Sequence, residues 1–294
     1  MGALVVNEEL LSQVELLQML VKNNVAGLFG GNHKSKTFGS SCEFADYRDY
    51  IPGDDITKLD WNAFARFEKL YLKLYLDERQ LHTRIYIDVS NSMTYGKGGK
   101  DAQAIRLAAA LAYLSISEMD KVSIYTIHGS RVESVVENML GKETYFNNIG
   151  KLNDIVFEGD CAISEAILPS TVGYGDGMSI IISDFLTDND YEAAIDHLAG
   201  KKRDILCVQV LSEDELNPVV RGKMHFFDSE DNQKFYRRNI NKEIIRAYKE
   251  ALEYITGRVE SCSRSRGGEY ILVSATDTIG GVFYDKLMGL GVVK

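Results

Sequence analysis

The sequence predicts an α/β protein, a doubly wound and mostly parallel sheet with an N-terminal helix and a small β-rich extension. Three observations predict it. Ile85-Tyr86-Ile87, Ile180-Ile181-Ile182 and Ile205-Leu206-Cys207-Val208 are continuously apolar, the pattern of strands buried on both faces. Segments with helical spacing lie between them, in the rhythm of strand, helix, strand. With 45% hydrophobic and 26% charged residues and only three prolines in 294 residues, the whole chain has the composition of a folded protein with a sizeable core.

Taken in order, Leu10, Leu11, Val14, Leu17, Leu20 and Val21 recur at helical spacing over 7–23, and Asn23-Asn24 supplies a stop. From Lys36 to Leu81 short apolar stretches flank Ile51-Pro52-Gly53-Asp54-Asp55, a turn between two extended arms, the second of them Lys69–Leu76. Residues 1–82 are therefore read as one segment and 83–294 as the α/β domain. In the latter, strand 84–90 leads to helix 101–120, and strand 121–128 pairs with 130–136 through the Gly129 turn. Strand 178–185, helix 190–200 and strand 204–211 follow, then a hairpin at 223–237, a long helix at 240–262, strand 269–275 and a last helix near 279–289.

Composition excludes some functions. A formal charge of −10 repels a polyanion, which argues against nucleic-acid binding. The runs Lys201-Lys202-Arg203 and Arg258–Arg266 lack interleaved aromatic residues and read as solvated faces. No run of ~18 apolar residues suggests a membrane span, and the N-terminus has no basic, apolar leader. Cys42, Cys161, Cys207 and Cys262 are too dispersed for a zinc or redox motif, so reduced thiols in a cytoplasmic protein are expected.

The chemistry concentrates where the first strand of the sheet ends, at Asp88-Val89-Ser90-Asn91-Ser92. This spacing lets one carboxylate and two hydroxyls turn inward from a tight loop, the oxygen-only set that Mg2+ or Mn2+ prefers. Alone it is weak evidence, because such residues also cap helices and make turns. A later strand ends in Ser183-Asp184 and brings a second carboxylate to the same sheet edge, where open α/β sheets bind ligands.

With these residues the chain resembles the von Willebrand factor type A fold, whose metal-ion-dependent adhesion site takes D-x-S-x-S from one loop, Thr from a second and Asp from a third. Asp88, Ser90, Ser92 and Asp184 match three of those positions. The second loop departs from the pattern: Glu158-Gly159-Asp160-Cys161-Ala162-Ile163 puts Asp160 at or near the Thr position, with Ser164 the poorer substitute. A carboxylate there would bind the ion directly or through water and make it a weaker electrophile. The resemblance implies a Mg2+ (or Mn2+ or Ca2+) site of Asp88, Ser90, Ser92, Asp160 and Asp184.

A longer match is Glu43–Arg66, with Tyr47-Arg48-Asp49-Tyr50-Ile51-Pro52-Gly53-Asp54-Asp55 and Leu59-Asp60-Trp61-Asn62 inside it. It is similar to the signature of the domain of unknown function 58 family. In that family a type A domain follows, then a Phe-x-Asp-x-Glu-like stretch and a tyrosine-bearing helix, similar here to Phe226–Glu230 and Tyr248. The resemblance covers about residues 30–290. Physically the signature offers a turn, a lone Trp61 to anchor a core, and Arg48 and Arg66 to bridge acids. Arg48, Asp54, Asp60 and Arg66 are the candidates for a partner surface, against a purely structural role.

The expected function is therefore a non-enzymatic, metal-dependent protein-binding module that receives an Asp or Glu carboxylate from its partner. The resemblance implies a partner of the MoxR class of AAA+ ATPases and a role in chaperone-like assembly or maturation of other proteins. Two alternatives stay open: a metal-dependent hydrolase using Asp88, Asp160 and Asp184, and a scaffold whose metal site is lost. Gly96–Lys100 lacks the spacing of a phosphate-binding loop and reads as a flexible lip of the site.

Overall fold

The computed structural model describes residues 5–24, 44–75, 81–175, 177–187, 189–219, 222–227 and 235–287. The chain divides into two units, Gly30–Gln80 and a larger one of Met1–Phe29 with Leu81–Lys294. The N-terminal helix thus counts with the sheet domain, and the 1–82 segment is divided.

Helix α1 (Glu8–Asn24) belongs to the larger unit. It buries Val6, Leu10 and Val14, and Asn153 clamps its start by accepting from Val6 N–H at 2.9 Å and donating to Val6 O at 3.1 Å. In the smaller unit β1 (Phe44–Asp49) and, later, β2 (Tyr71–Tyr75) pair antiparallel. Between them lies more than a turn. Asp55 caps a short 3-10 turn over Ile56–Lys58, and Asp60 caps α2 (Trp61–Phe67) by accepting from Asn62 N–H and Ala63 N–H. The sequence reading missed this helix, and Trp61 does not anchor a core: at the first position of a two-turn helix that buries none of its residues, it is 62% exposed.

The larger unit carries the predicted sheet. Strand β3 (His82–Asp88) leads through the 3-10 turn Asn91–Thr94 to α3 (Lys100–Ser117), and β4 (Lys121–His128) turns back into β5 (Arg131–Met139). Two short helices that the sequence reading did not single out follow, α4 (Lys142–Asn148) and α5 (Ile163–Ile167). Next come β6 (Met178–Ser183), α6 (Glu192–Gly200), β7 (Asp204–Leu211) and α7 (Glu213–Leu216). The pair β8 (Gly222–Phe227) and β9 (Phe235–Ile240) is antiparallel, and the acidic turn expected at Asp228–Glu230 lies outside the described residues. Helix α8 (Lys242–Ser265), strand β10 (Glu269–Ser274) and α9 (Ile279–Gly281), continued by a π turn to Leu287, end the described chain.

The six-stranded order is β10-β7-β6-β3-β4-β5, parallel except for β5. Alternation along each strand divides the core in two. Ile85, Ile87, Ile180, Ile182, Leu206 and Val208 face the layer of α3, while Tyr86, Ile181 and Cys207 face that of α5, α6 and α8. Helix α3 is buried almost all round, and Ala104, Ala108, Ala109, Ala110 and Ala112 let it lie close both to the sheet and to α1. The chain winds outward from β3 in one direction through β4 and in the other through β6 and β7. The β3/β6 boundary is the topological switch point, and crevices form at the carboxyl ends of the strands beside it.

Candidate metal centre

Strands β3 and β6 deliver their last residues to that crevice side by side, in the register Ile87 with Ile182. Asp88, 3% exposed, accepts from Ser90 N–H through Oδ1 at 2.9 Å and from Ser183 Oγ–H through Oδ2 at 2.6 Å. Ser90 is buried, Ser92 is partly open, and their hydroxyl oxygens lie 3.0 Å apart. The chain beyond Asp184 turns sharply through a left-handed Phe185 (φ 52°), a conformation that costs a non-glycine residue on the order of 1 kcal/mol. Ser183 Oγ holds that turn by accepting Phe185 N–H at 2.9 Å. One serine thus holds the Asp88 carboxylate and the turn that follows Asp184.

Burial pushes the Asp88 carboxyl upward, and the nearby Asp184 charge adds to the rise against the hydrogen bonds from Ser183 and Ser90. The rim is short of positive charge. Among the described residues its one buried cation is Lys100, whose Nζ lies 2.9 Å from Asp184 Oδ2 and 2.7 Å from Glu215 Oε1. Burial, the largest influence on this ammonium, opposes its charge, and the two carboxylates together outweigh it and raise its pKa. Three buried carboxyl groups, Asp88, Asp184 and Glu215, stand at the rim beside one ammonium, and burial and the Asp184 charge both oppose ionisation of Asp88.

The second loop is tied to the first by Asn91 N–H to Gly159 O at 2.9 Å and Glu158 N–H to Val89 O at 2.7 Å. The structure turns Asp160 outward, and among the described residues no side-chain hydrogen bond joins it to Asp88, Ser90 or Asp184. The residue facing the rim is Cys161, 3% exposed, whose thiol is pushed far up by burial and then by its contact with Asp88. Ser164 is also committed elsewhere, its Oγ accepting Ala194 N–H at 3.0 Å. Asp88, Ser90, Ser92 and Asp184 are brought together; Asp160 is not.

Among the described residues no three His, Cys, Asp or Glu side chains form a group that could hold a metal. The donors that remain fit a hard cation in another way. The Ser90 and Ser92 hydroxyls, 3.0 Å apart, share a hydrogen bond, and with the carboxyl groups of Asp88 and Asp184 they make an all-oxygen donor set of the kind a hard cation prefers. Ser90 and Ser92 would hold it, with Asp88 behind them and Asp184 shared with Lys100.

The Gly96–Lys100 lip is packed closely against its neighbours. Gly96 (φ 89°) packs so tightly that a Cβ there would stand 2.2 Å from Ser212 Oγ, and one at Gly98 (φ 106°) would stand 3.0 Å from the Ala275 methyl. Lys97 N–H donates to Asp214 at 3.1 Å. These contacts set Lys100 at the start of α3, pointing at Asp184 and Glu215. The sequence reading missed Lys100, Ser183, Cys161 and Glu215; the signal available was a lysine at a helix N-terminus, where the helix dipole disfavours it.

The signature residues of the smaller unit have structural partners. Arg48 pairs with Asp54 Oδ1 at 2.7 Å, and Asp54 Oδ2 accepts Ile51 N–H at 2.9 Å, so the turn is locked. The Ile51 bond, then Arg48, lower the Asp54 pKa. Asp60 takes the Tyr47 hydroxyl at 2.8 Å and the Lys73 ammonium at 3.3 Å besides capping α2, and its pKa falls to about 2, the Tyr47 bond being the main cause. Arg66 is exposed and lines a cleft of about 610 Å³ with Asp60, Phe67 and Tyr71.

The fold and the rim define a doubly wound α/β domain with a carboxylate and hydroxyl cluster at its switch point. Residues 46–254 match the family described as Protein of unknown function DUF58, and the chain belongs to that family. Uncharacterized protein Rv1480 of Mycobacterium tuberculosis (strain H37Rv) and Uncharacterized protein Mb1516 of Mycobacterium bovis are each 24% identical over 229 residues, 76% of this chain and 71% of theirs. Similar solved structures include an aerotolerance-related membrane protein from Bacteroides fragilis (15% identity, 72% of this chain and 98% of that one, TM-score 0.40). The SpRpn10 VWA domain is also similar (9%, 74% and 100%, TM-score 0.40), as is the manganese-loaded Plasmodium vivax TRAP protein (12%, 69% and 72%, TM-score 0.37). No helix among the described residues is long and apolar enough to cross a membrane.

Proposed function

We propose that this protein is a non-enzymatic binding module of the von Willebrand factor type A kind. It grips a carboxylate of a protein partner at the β3/β6 rim and works in the cytoplasm with a MoxR-class AAA+ ATPase in chaperone-like assembly or maturation of other proteins. The observation that carries the reading is the hydrogen-bonded hydroxyl pair of Ser90 and Ser92 beside the buried carboxyl groups of Asp88 and Asp184. A bound Mg2+, Mn2+ or Ca2+ would supply an electrophile for the incoming Asp or Glu oxygen. Ser90 and Ser92 present the donors, Asp88 orients Ser90 through its backbone N–H, and Ser183 orients Asp88. The buried Cys161, Cys207 and Cys262, all free, agree with a reducing compartment. The ATPase partner follows from the family resemblance.

The test is co-purification with the MoxR-class ATPase of the native host, in Mg2+ and in EDTA, with wild type and Asp88→Ala side by side. Capture in Mg2+ that is lost both in EDTA and in the variant is the expected result. Equal capture in EDTA would remove the metal from the proposal, and no capture under any condition would remove the ATPase.

A further inference from the structure

Lys100 stands where a lysine is least expected. It is the first residue of α3, where the helix dipole repels a cation, and its side chain is 0% exposed. An unpaired ammonium there would give up its proton or draw water in. Asp184 and Glu215 hold it instead, and neither is free to follow it elsewhere. The other oxygen of Glu215 takes Ser212 N–H at 2.7 Å and Ser212 Oγ–H at 2.9 Å, while Asp184 Oδ1 takes Leu186 N–H at 3.0 Å. Asp184 Oδ2 is thus the oxygen left to face a cation, and Lys100 has it. The wedged glycines keep the helix start in place, so the ammonium is delivered to the carboxylate by the fold.

We propose that Lys100 is a resident cation that competes with a divalent ion for Asp184 and so sets how tightly the rim binds metal. The proposal rests on the reading that this rim takes a metal. While the ammonium is in place, Asp184 lends the site its charge with its cation-facing oxygen engaged. Removing Lys100 frees that oxygen and takes away the positive charge beside it, and both changes favour a small, hard, doubly charged ion.

The experiment adds Mn2+ alone to the purified full-length protein and follows binding by water-proton relaxation, with folding checked by circular dichroism. Lys100→Gln is expected to bind Mn2+ at least about tenfold more tightly than wild type. The double variant Lys100→Gln/Glu215→Gln loses one charge of each sign, retains a hydrogen-bonding pair, and is expected to bind several-fold more tightly than wild type because Asp184 is released; it decides the matter if the single variant does not fold. Binding by a variant with none by wild type supports the proposal. A folded variant that binds Mn2+ as wild type does, or more weakly, overturns it and leaves the metal reading intact. No Mn2+ binding by any of the three overturns both.

Discussion

Ser183 Oγ donates to Asp88 Oδ2 and accepts Phe185 N–H, so one hydroxyl restrains a buried carboxylate and a left-handed turn together. Ser183→Ala takes this hydroxyl from Asp88 Oδ2 and from Phe185 N–H in a place water does not reach, while Asp88 Oδ1 keeps Ser90 N–H. The expected cost is about 1–3 kcal/mol of unfolding free energy, read by urea denaturation, because an orphaned buried polar group pays its full desolvation penalty. A loss below about 0.5 kcal/mol would mean that the rim relaxes around the alanine. At this scale the sequence was half legible. Asp88, Ser90 and Ser92 announce themselves because they are two residues apart and turn inward from one loop. Lys100 does not, since its meaning lies in Asp184 and Glu215, 84 and 115 positions away. Asp160 and Cys161 show the converse: spacing reaches the right loop but cannot say which of two neighbours faces in when a positive-φ Gly159 precedes them.

Between β3 and α3, the segment from Tyr95 to Gly99 works as a wedge. Its glycines are required by contact as well as by φ, since the Ser212 side chain occupies the place of a Gly96 Cβ. Gly96→Ala therefore combines left-handed strain with a displaced Ser212, whose hydroxyl belongs to the capping box of α7. We expect a loss of about 2–4 kcal/mol by thermal or urea unfolding, well above the cost of an alanine at an unobstructed turn glycine such as Gly53. Equal losses at the two positions would show that the wedge bears no strain. The central strands were legible because they are continuously apolar, and the long helices because their apolar residues recur at helical spacing. Helix α2 was not: Trp61–Phe67 is rich in aromatic residues, and it is the Asp60 cap and the Tyr71 carbonyl accepting Asp60 N–H that turn it helical.

Across the larger unit the two ends of the sheet differ in charge. The carboxyl ends of the strands gather Asp88, Asp184 and Glu215 around Lys100, while the opposite end gathers His82, Arg84, Lys121 and a buried Arg203 beside Asp120 and Asp204. Arg203 donates through Nε to Ser179 Oγ at 2.7 Å and through an Nη to Met178 O at 2.7 Å, so neutral acceptors carry its hydrogen bonds. Burial, then the charges of Arg84, Arg203 and Lys121, lower the His82 pKa to about 4. Against an unfolded value of about 6.5, the folded state resists a proton that the unfolded chain accepts. Stability is therefore full above about pH 6.5, falls as the pH drops from there to about 4, and is flat below that as far as this group is concerned. The shift would be worth about 3 kcal/mol for an enclosed ring and about 1–2 kcal/mol for one partly screened by water. His82→Gln retains a partner for Ser123 Oγ, which lies 2.9 Å from the ring, and removes the titration. Urea unfolding at pH 7.5 and pH 4.5 should show wild type losing about 1–2 kcal/mol more than the variant. Equal losses would mean that the cations at this end of the sheet are screened from His82, and that the difference in charge has no thermodynamic consequence there.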